Sequence, residues 1–104
     1  MNERCLVIGG GIAGMLTARQ LHDAGYQVTV ADRGKTGQES SWAAGGILSP
    51  MYPWHYPDAI TELFLWSAKR YLHFANELAE ESGIDPEWVQ SGMLIFDTDE
   101  KHQA

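Results

Sequence analysis

The sequence predicts an α/β fold that opens with a strand–helix–strand unit made for a parallel sheet. Three observations predict it. An unbroken apolar run, CLVI at residues 5–8, stops at a glycine. A glycine-rich turn, GGGIAG at 9–14, follows at once. A second apolar stretch, YQVTVAD at 26–32, ends on an acid. An apolar run without alternation suits a strand covered on both faces, as in a parallel sheet.

The elements can be justified in order. Residues Cys5 to Ile8 form the first strand. In the following MLTARQLHDAG, Leu16, Leu21 and Ala24 recur at helical spacing with Ala13 and Ala18, and Gly25 stands where the helix would end. The second strand has Val28 and Val30 at its centre and Asp32 at its tip. Gly9, Gly11 and Gly14 satisfy G-x-G-x-x-G, and each has a mechanical job. Gly9 permits a tight turn, Gly11 lets a pyrophosphate approach the backbone, and Gly14 lets the helix pack closely on the strand. Free N–H groups near Ile12 and Ala13 would then point at phosphates. Asp32 lies at the spacing at which an acid accepts bonds from a ribose diol, and its charge disfavours a 2′-phosphate. This much leaves NAD and FAD both open.

A polar, glycine-bearing loop, RGKTGQESSWAAGGILSP at 33–50, comes next, where a plain dehydrogenase would enter another crossover helix. Serine hydroxyls suit phosphate and ribityl oxygens, and glycines suit a backbone that touches a flat ligand. Prolines 50, 53 and 57 then prevent regular structure. Pro57 suits the first turn of a helix over about 58–82, with Asp58 and Glu62 at its positive end and Gly83 as its stop. Ile60, Leu63, Phe64, Ser67, Tyr71, Ala75, Leu78 and Ser82 trace one face of that helix, which reads as core contact and not as a cofactor surface. GMLIF at 92–96 reads as a strand, and the tail DTDEKHQA is polar.

Composition excludes several function classes. Seven basic residues against fourteen acidic ones give a net charge of −7, which argues against nucleic acid and against an anionic membrane surface. One cysteine allows no internal disulfide, which fits a reducing, cytoplasmic setting. The N-terminal residues lack the pattern of a secretory signal, and no stretch is apolar enough for a membrane span. His22, His55, His73 and His102 have no zinc-ligand spacing, so no metal site is expected. No Ser-His-Asp grouping can be drawn, and no catalytic residue is assigned.

Four segments carry a family resemblance: VIGGGIAGMLTARQL (7–21), VTVADRG (28–34), SSWAAGGILSPMYPW (40–54) and GIDPEWVQSGMLIF (83–96). They resemble the N-terminal part of the FAD-dependent, D-amino-acid-oxidase-like family, and within it the glycine oxidases of thiamine biosynthesis. The fold this implies is the start of a Rossmann-like FAD-binding domain (βαβ with GxGxxG). A loop, a long helix and the first strand of a substrate-side sheet would follow. Residues 1–50 would form the FAD-binding unit and flavin loop, and 51–104 the helix and strand leading towards the substrate domain. The resemblance implies that Gly9, Gly11, Ile12, Ala13 and Gly14 face the FAD phosphates. Asp32 would hold the adenosine ribose, with Arg33 along the adenosine. Ser40 and Ser41 would bond the pyrophosphate or ribityl chain. Ala43, Ala44, Gly45, Gly46 and Ile47 would pass the flavin ring, and Ile47 to Ser49 would border its substrate side. Trp42 would be a packing residue.

The implied reaction oxidises glycine or another small amino acid or amine to an imine, with dioxygen reduced to hydrogen peroxide. Full-length members are several times longer, and their substrate-gripping arginine and tyrosine cannot be mapped here. The chain is therefore expected to be an N-terminal piece, a truncated reading frame or a subunit of a split protein, inactive alone. Its partners would be the small substrate and the remainder of the flavoprotein or a complementing subunit, with a homo-oligomer possible. The alternatives are a non-catalytic nucleotide-binding or assembly module, part of an FAD-dependent dehydrogenase, and an NAD-dependent dehydrogenase.

Overall fold

The computed structural model describes residues 3–49 and 55–94. The chain divides into two compact units, residues 1–47 and 48–104. In the first, β1 (Arg4–Ile8), α1 (Ile12–Asp23), β2 (Gln27–Ala31) and the single-turn α2 (Ser40–Ala43) follow in order. β1 and β2 pair in parallel, Arg4 opposite Gln27 and Ile8 opposite Ala31. Parallel pairing demands a crossover, and α1 supplies it, packing on both strands. The expected strand–helix–strand unit is thus present.

One expectation is corrected. The apolar run of β1 suggested cover on both faces, but only one is covered. Cys5, Val7 and Val28 are half-buried, whereas Leu6 is 63% and Ile8 is 84% exposed. A single crossover helix can shield only one side of a two-stranded sheet. Nor do all the apolar positions of α1 face inward. Met15, Leu16, Ala18 and Leu21 are half-buried, but Ala13 and Ala24 are exposed.

The C-terminus of α1 follows from one glycine. Gly25 has φ +94°, a conformation that costs a residue with a Cβ. Its N–H donates to the His22 carbonyl at 2.9 Å, and the Tyr26 N–H donates to the Leu21 carbonyl at 3.0 Å. These two bonds are the paired closure of a Schellman motif, and they turn the chain back into β2.

In the second unit the expected long helix is α3 (Asp58–Ser82). Pro57 is its N-cap and not part of its first turn. The Pro57 carbonyl accepts from the Ile60 and Thr61 N–H groups, and proline loses no bond there because it has no N–H. Gly83 ends the helix with φ +69°, its N–H donating to the Ala79 carbonyl at 2.9 Å. Ala75, 4% exposed, is the one buried apolar side chain among the described residues. Phe64, Tyr71 and Leu78 are half-buried on the same stripe, and the Tyr71 and Phe74 rings meet edge to face at 5.9 Å. The N-terminal end of the stripe is not core contact, with Ile60 47% and Leu63 63% exposed.

The strand expected at 92–96 is not seen in its described part. Gly92, Met93 and Leu94 have no ladder, and Ile95 and Phe96 lie outside the described residues. A strand is defined by its hydrogen-bonded partner, which apolar sequence alone does not provide.

Candidate functional site

The glycine turn after β1 is tied to the acid after β2. Gly9 has φ +107°, and its N–H donates to the Ala31 carbonyl at 2.7 Å. The Gly10 N–H donates to Asp32 Oδ2 at 2.7 Å, and the Gly34 N–H to Asp32 Oδ1 at 2.8 Å. These bonds, that from Gly34 foremost, hold the Asp32 carboxyl below the usual carboxylate range; burial opposes the shift slightly and the Arg33 charge adds to it. Each carboxylate oxygen can still accept another bond.

Close packing makes Gly14 obligatory and leaves Gly10 little room. A Cβ on Gly14 would lie 1.8 Å from the Gly9 carbonyl oxygen, so the start of α1 can sit on the turn only without a side chain. A Cβ on Gly10 would meet Asp32 Oδ2 and Thr36 Cγ2, both at 3.0 Å. The triple glycine was readable in the sequence, but the role of its middle member was not.

The loop 32–41 then folds back over the turn. The Gly37 N–H donates to the Gly10 carbonyl at 2.8 Å. Arg33 grips Glu39 with two bonds, Nε to Oε1 at 2.8 Å and Nη2 to Oε2 at 2.7 Å. That grip pushes the Arg33 guanidinium further towards its protonated form. The loop leads into α2, where Ser41 Oγ accepts from the Ile12 N–H at 2.8 Å.

The result is a cavity of about 160 Å³ lined by the glycine turn, Asp32, Lys35, Glu39, Ser40 and Ser41. Of the sequence-derived candidates, Gly9, Gly11, Asp32, Ser40 and Ser41 come together there. Ile12 differs from expectation, since its N–H is already taken by Ser41. The N–H groups of Ala13 and Gly14, next in the first turn of α1, have no protein acceptor among the described residues. Arg33 stands outside the cavity wall, bound to Glu39. Ala43 ends α2, and the Ala44 N–H donates to the Ser40 carbonyl at 3.0 Å. Gly45, Gly46 (φ +71°) and Ile47, 69% exposed, do not line the cavity, and Ser49 belongs to the second unit. Glu39 and Lys35 were missed by sequence reasoning. An arginine and a glutamate bracketing a glycine-rich loop was the available signal for Glu39.

Among the described residues, no three His, Cys, Asp or Glu side chains are grouped to hold a metal ion. No described helix is long and apolar enough to cross a membrane.

Comparison with known proteins identifies the family. The family model for DAO, FAD dependent oxidoreductase, matches residues 4–104. The chain is 46% identical over its whole length to a glycine oxidase of Pseudomonas aeruginosa and 43% identical to one of Pseudomonas putida. It spans only 29% and 28% of the length of those two proteins. It is also 39% identical over 66 residues, 61% of the chain, to a D-amino acid dehydrogenase of Paramagnetospirillum magneticum, covering 16% of that protein. No solved structure matches it. The glycine turn, the acid bound to it and the family match over nearly every residue lead to one conclusion: the chain belongs to the DAO family of FAD-dependent oxidoreductases.

Proposed function

We propose that this chain supplies the adenosine- and diphosphate-binding part of a flavoprotein that oxidises glycine or another small amino acid or amine. The observation that carries the reading is the Asp32–Gly10 bond. It fixes a carboxylate suited to a ribose diol beside a turn suited to a diphosphate, in a chain of an FAD-dependent family.

The residues present fit the cofactor. Gly9, Gly11 and Gly14 keep side chains away from the turn, and the Gly14 position has no room for one. The Ala13 and Gly14 N–H groups, at the positive end of α1, would face the diphosphate. Asp32 would accept from the ribose hydroxyls with its remaining lone pairs. Ser40, and the Ser41 hydroxyl proton, would donate to phosphate or ribityl oxygens, and Lys35 would add positive charge to the same cavity. Ala43, Ala44, Gly45, Gly46 and Ile47 would present backbone to the flavin, with Ile47 and Ser49 bordering the substrate. FAD, when bound, supplies an acceptor for the electron pair of the C–H bond beside nitrogen, and dioxygen is the terminal oxidant, giving hydrogen peroxide.

The exposed Leu6 and Ile8 on the sheet, and Ile60 and Leu63 on α3, support a chain that works only within a larger flavoprotein or with a complementing subunit. The likeness to D-amino acid dehydrogenases favours a second reading. In that reading the same cofactor site serves a dehydrogenase, and the electrons pass to a carrier other than dioxygen.

The test is a visible spectrum of the 104-residue chain after incubation with FAD and desalting, followed by peroxide assays with glycine and sarcosine. Retained flavin bands with little peroxide are expected. Complete loss of flavin, together with NADH binding, would overturn the reading in favour of a nicotinamide site.

A further inference from the structure

The loop between β2 and α2 contains an ion pair whose glutamate, Glu39, has no part in the FAD reading. Arg33 follows Asp32 directly, and Glu39 directly precedes Ser40. Their two parallel bonds, 2.8 and 2.7 Å, make a planar fork that sets orientation as well as distance. Both side chains are mostly exposed, 83% and 56%, so the pair adds little to stability. Its effect is geometric. The Glu39 carbonyl accepts from the Trp42 and Ala43 N–H groups at 3.1 and 3.0 Å, so the residue that grips Arg33 also anchors α2. In turn α2 sets Ser40 on the cavity wall and Ser41 against the Ile12 N–H. A chain of bonds thus runs from the end of β2, through Arg33 and Glu39, to the start of α1.

We propose that Glu39 is a positioning residue: by gripping Arg33 it holds the serine pair over the glycine turn, where an anionic diphosphate is bound, and does not itself touch that ligand. This rests on the FAD reading above and deepens it. The sign of the effect separates it from plain electrostatics. Glu39 lines the cavity, so removing its charge relieves repulsion of a bound diphosphate and would tighten binding. Loss of positioning loosens it.

The experiment combines hydrogen exchange at the Ile12 and Gly37 amides with ADP and adenosine titrations, on the full 104-residue chain and its variants. Glu39→Gln is expected to speed exchange at Ile12 and to weaken ADP binding, each by about three- to fivefold. Adenosine binding should be unchanged, because the serine pair serves the phosphates. The reciprocal pair Arg33→Glu with Glu39→Arg should restore both values. Arg33→Ala with Glu39→Ala should be no worse than either single change. Unchanged exchange at Ile12, tighter ADP binding in Glu39→Gln, or equal losses for ADP and adenosine would each overturn the proposal. An unaltered chain that loses FAD and binds NADH would overturn the FAD reading and the cofactor role of Glu39 with it. A chain that binds ADP equally well with and without Glu39 would overturn this inference alone.

Discussion

Each of the two units is built on its own kind of bond. In residues 3–47 the decisive bonds join positions far apart in sequence: Gly10 to Asp32, Gly37 to Gly10, Ile12 to Ser41. In the second unit, α3 is laced by local bonds. Arg70 donates to the Trp66 carbonyl and lies 3.9 Å from the Trp66 ring centre, His73 meets Glu77 one turn on, and Ser82 bonds Leu78. Local bonds make a helix, whereas long-range bonds bring chemical groups to one place. All of the cavity-lining candidates accordingly lie in the first unit, and α3 offers mainly an apolar stripe.

The comparison is broken most severely by Gly14→Ala. Its Cβ has no room against the Gly9 carbonyl, so the first unit should lose about 3 kcal/mol or more. Amide protection in α1 should vanish while the helical circular dichroism of α3 persists. Loss of both together would mean that the units are not independent.

Gly10→Ala is a smaller wedge, since the atoms it meets belong to the side chains of Asp32 and Thr36. A cost of about 1–2 kcal/mol is expected, seen as a lower urea midpoint for the first unit. The Asp32–Gly10 bond should weaken with it, read as faster exchange at the Gly10 amide.

Gly83→Ala addresses the other unit. A Cβ in the left-handed conformation costs about 1 kcal/mol and should fray only the last turn of α3. Amide exchange in the first unit should not change.

The smallest effect at neutral pH, and the sharpest in its pH dependence, is that of Asp32→Asn. The folded protein lowers the Asp32 pKa, so the charged form is the one stabilised. The contribution is therefore fully present above the unfolded value of about 3.9 and is lost as pH falls through the lower folded value. The unaltered chain should lose first-unit protection on acidification through that window, and Asp32→Asn should flatten the profile. An unchanged profile would show that the two backbone bonds to Asp32 carry no linkage.

Much of the first unit was legible from residues alone. The glycine spacing, the apolar runs and Gly25 each act through backbone conformation or local periodicity, which neighbouring residues determine. Asp32 could be singled out for the same reason, since its distance along the chain follows from the length of one crossover. Three things were not legible. The pairing of Ser41 with Ile12 spans 29 positions. The exposure of Leu6 and Ile8 depends on what covers a sheet, and not on how apolar it is. Whether Gly92, Met93 and Leu94 join a ladder depends on a partner strand, which apolar content does not supply.

The sequence by itself determined the βαβ order, the site of the glycine turn, the acid that answers it, the length of α3 and its glycine stop. These are matters of φ preference, periodicity and spacing, and they act over one or two turns of chain. Only the tertiary structure decided that Ser41 serves the start of α1, that Arg33 is committed to Glu39, and that Gly10 is wedged between Asp32 and Thr36. Those outcomes depend on loop closure, which brings together groups whose separation along the chain carries no information about their distance in space.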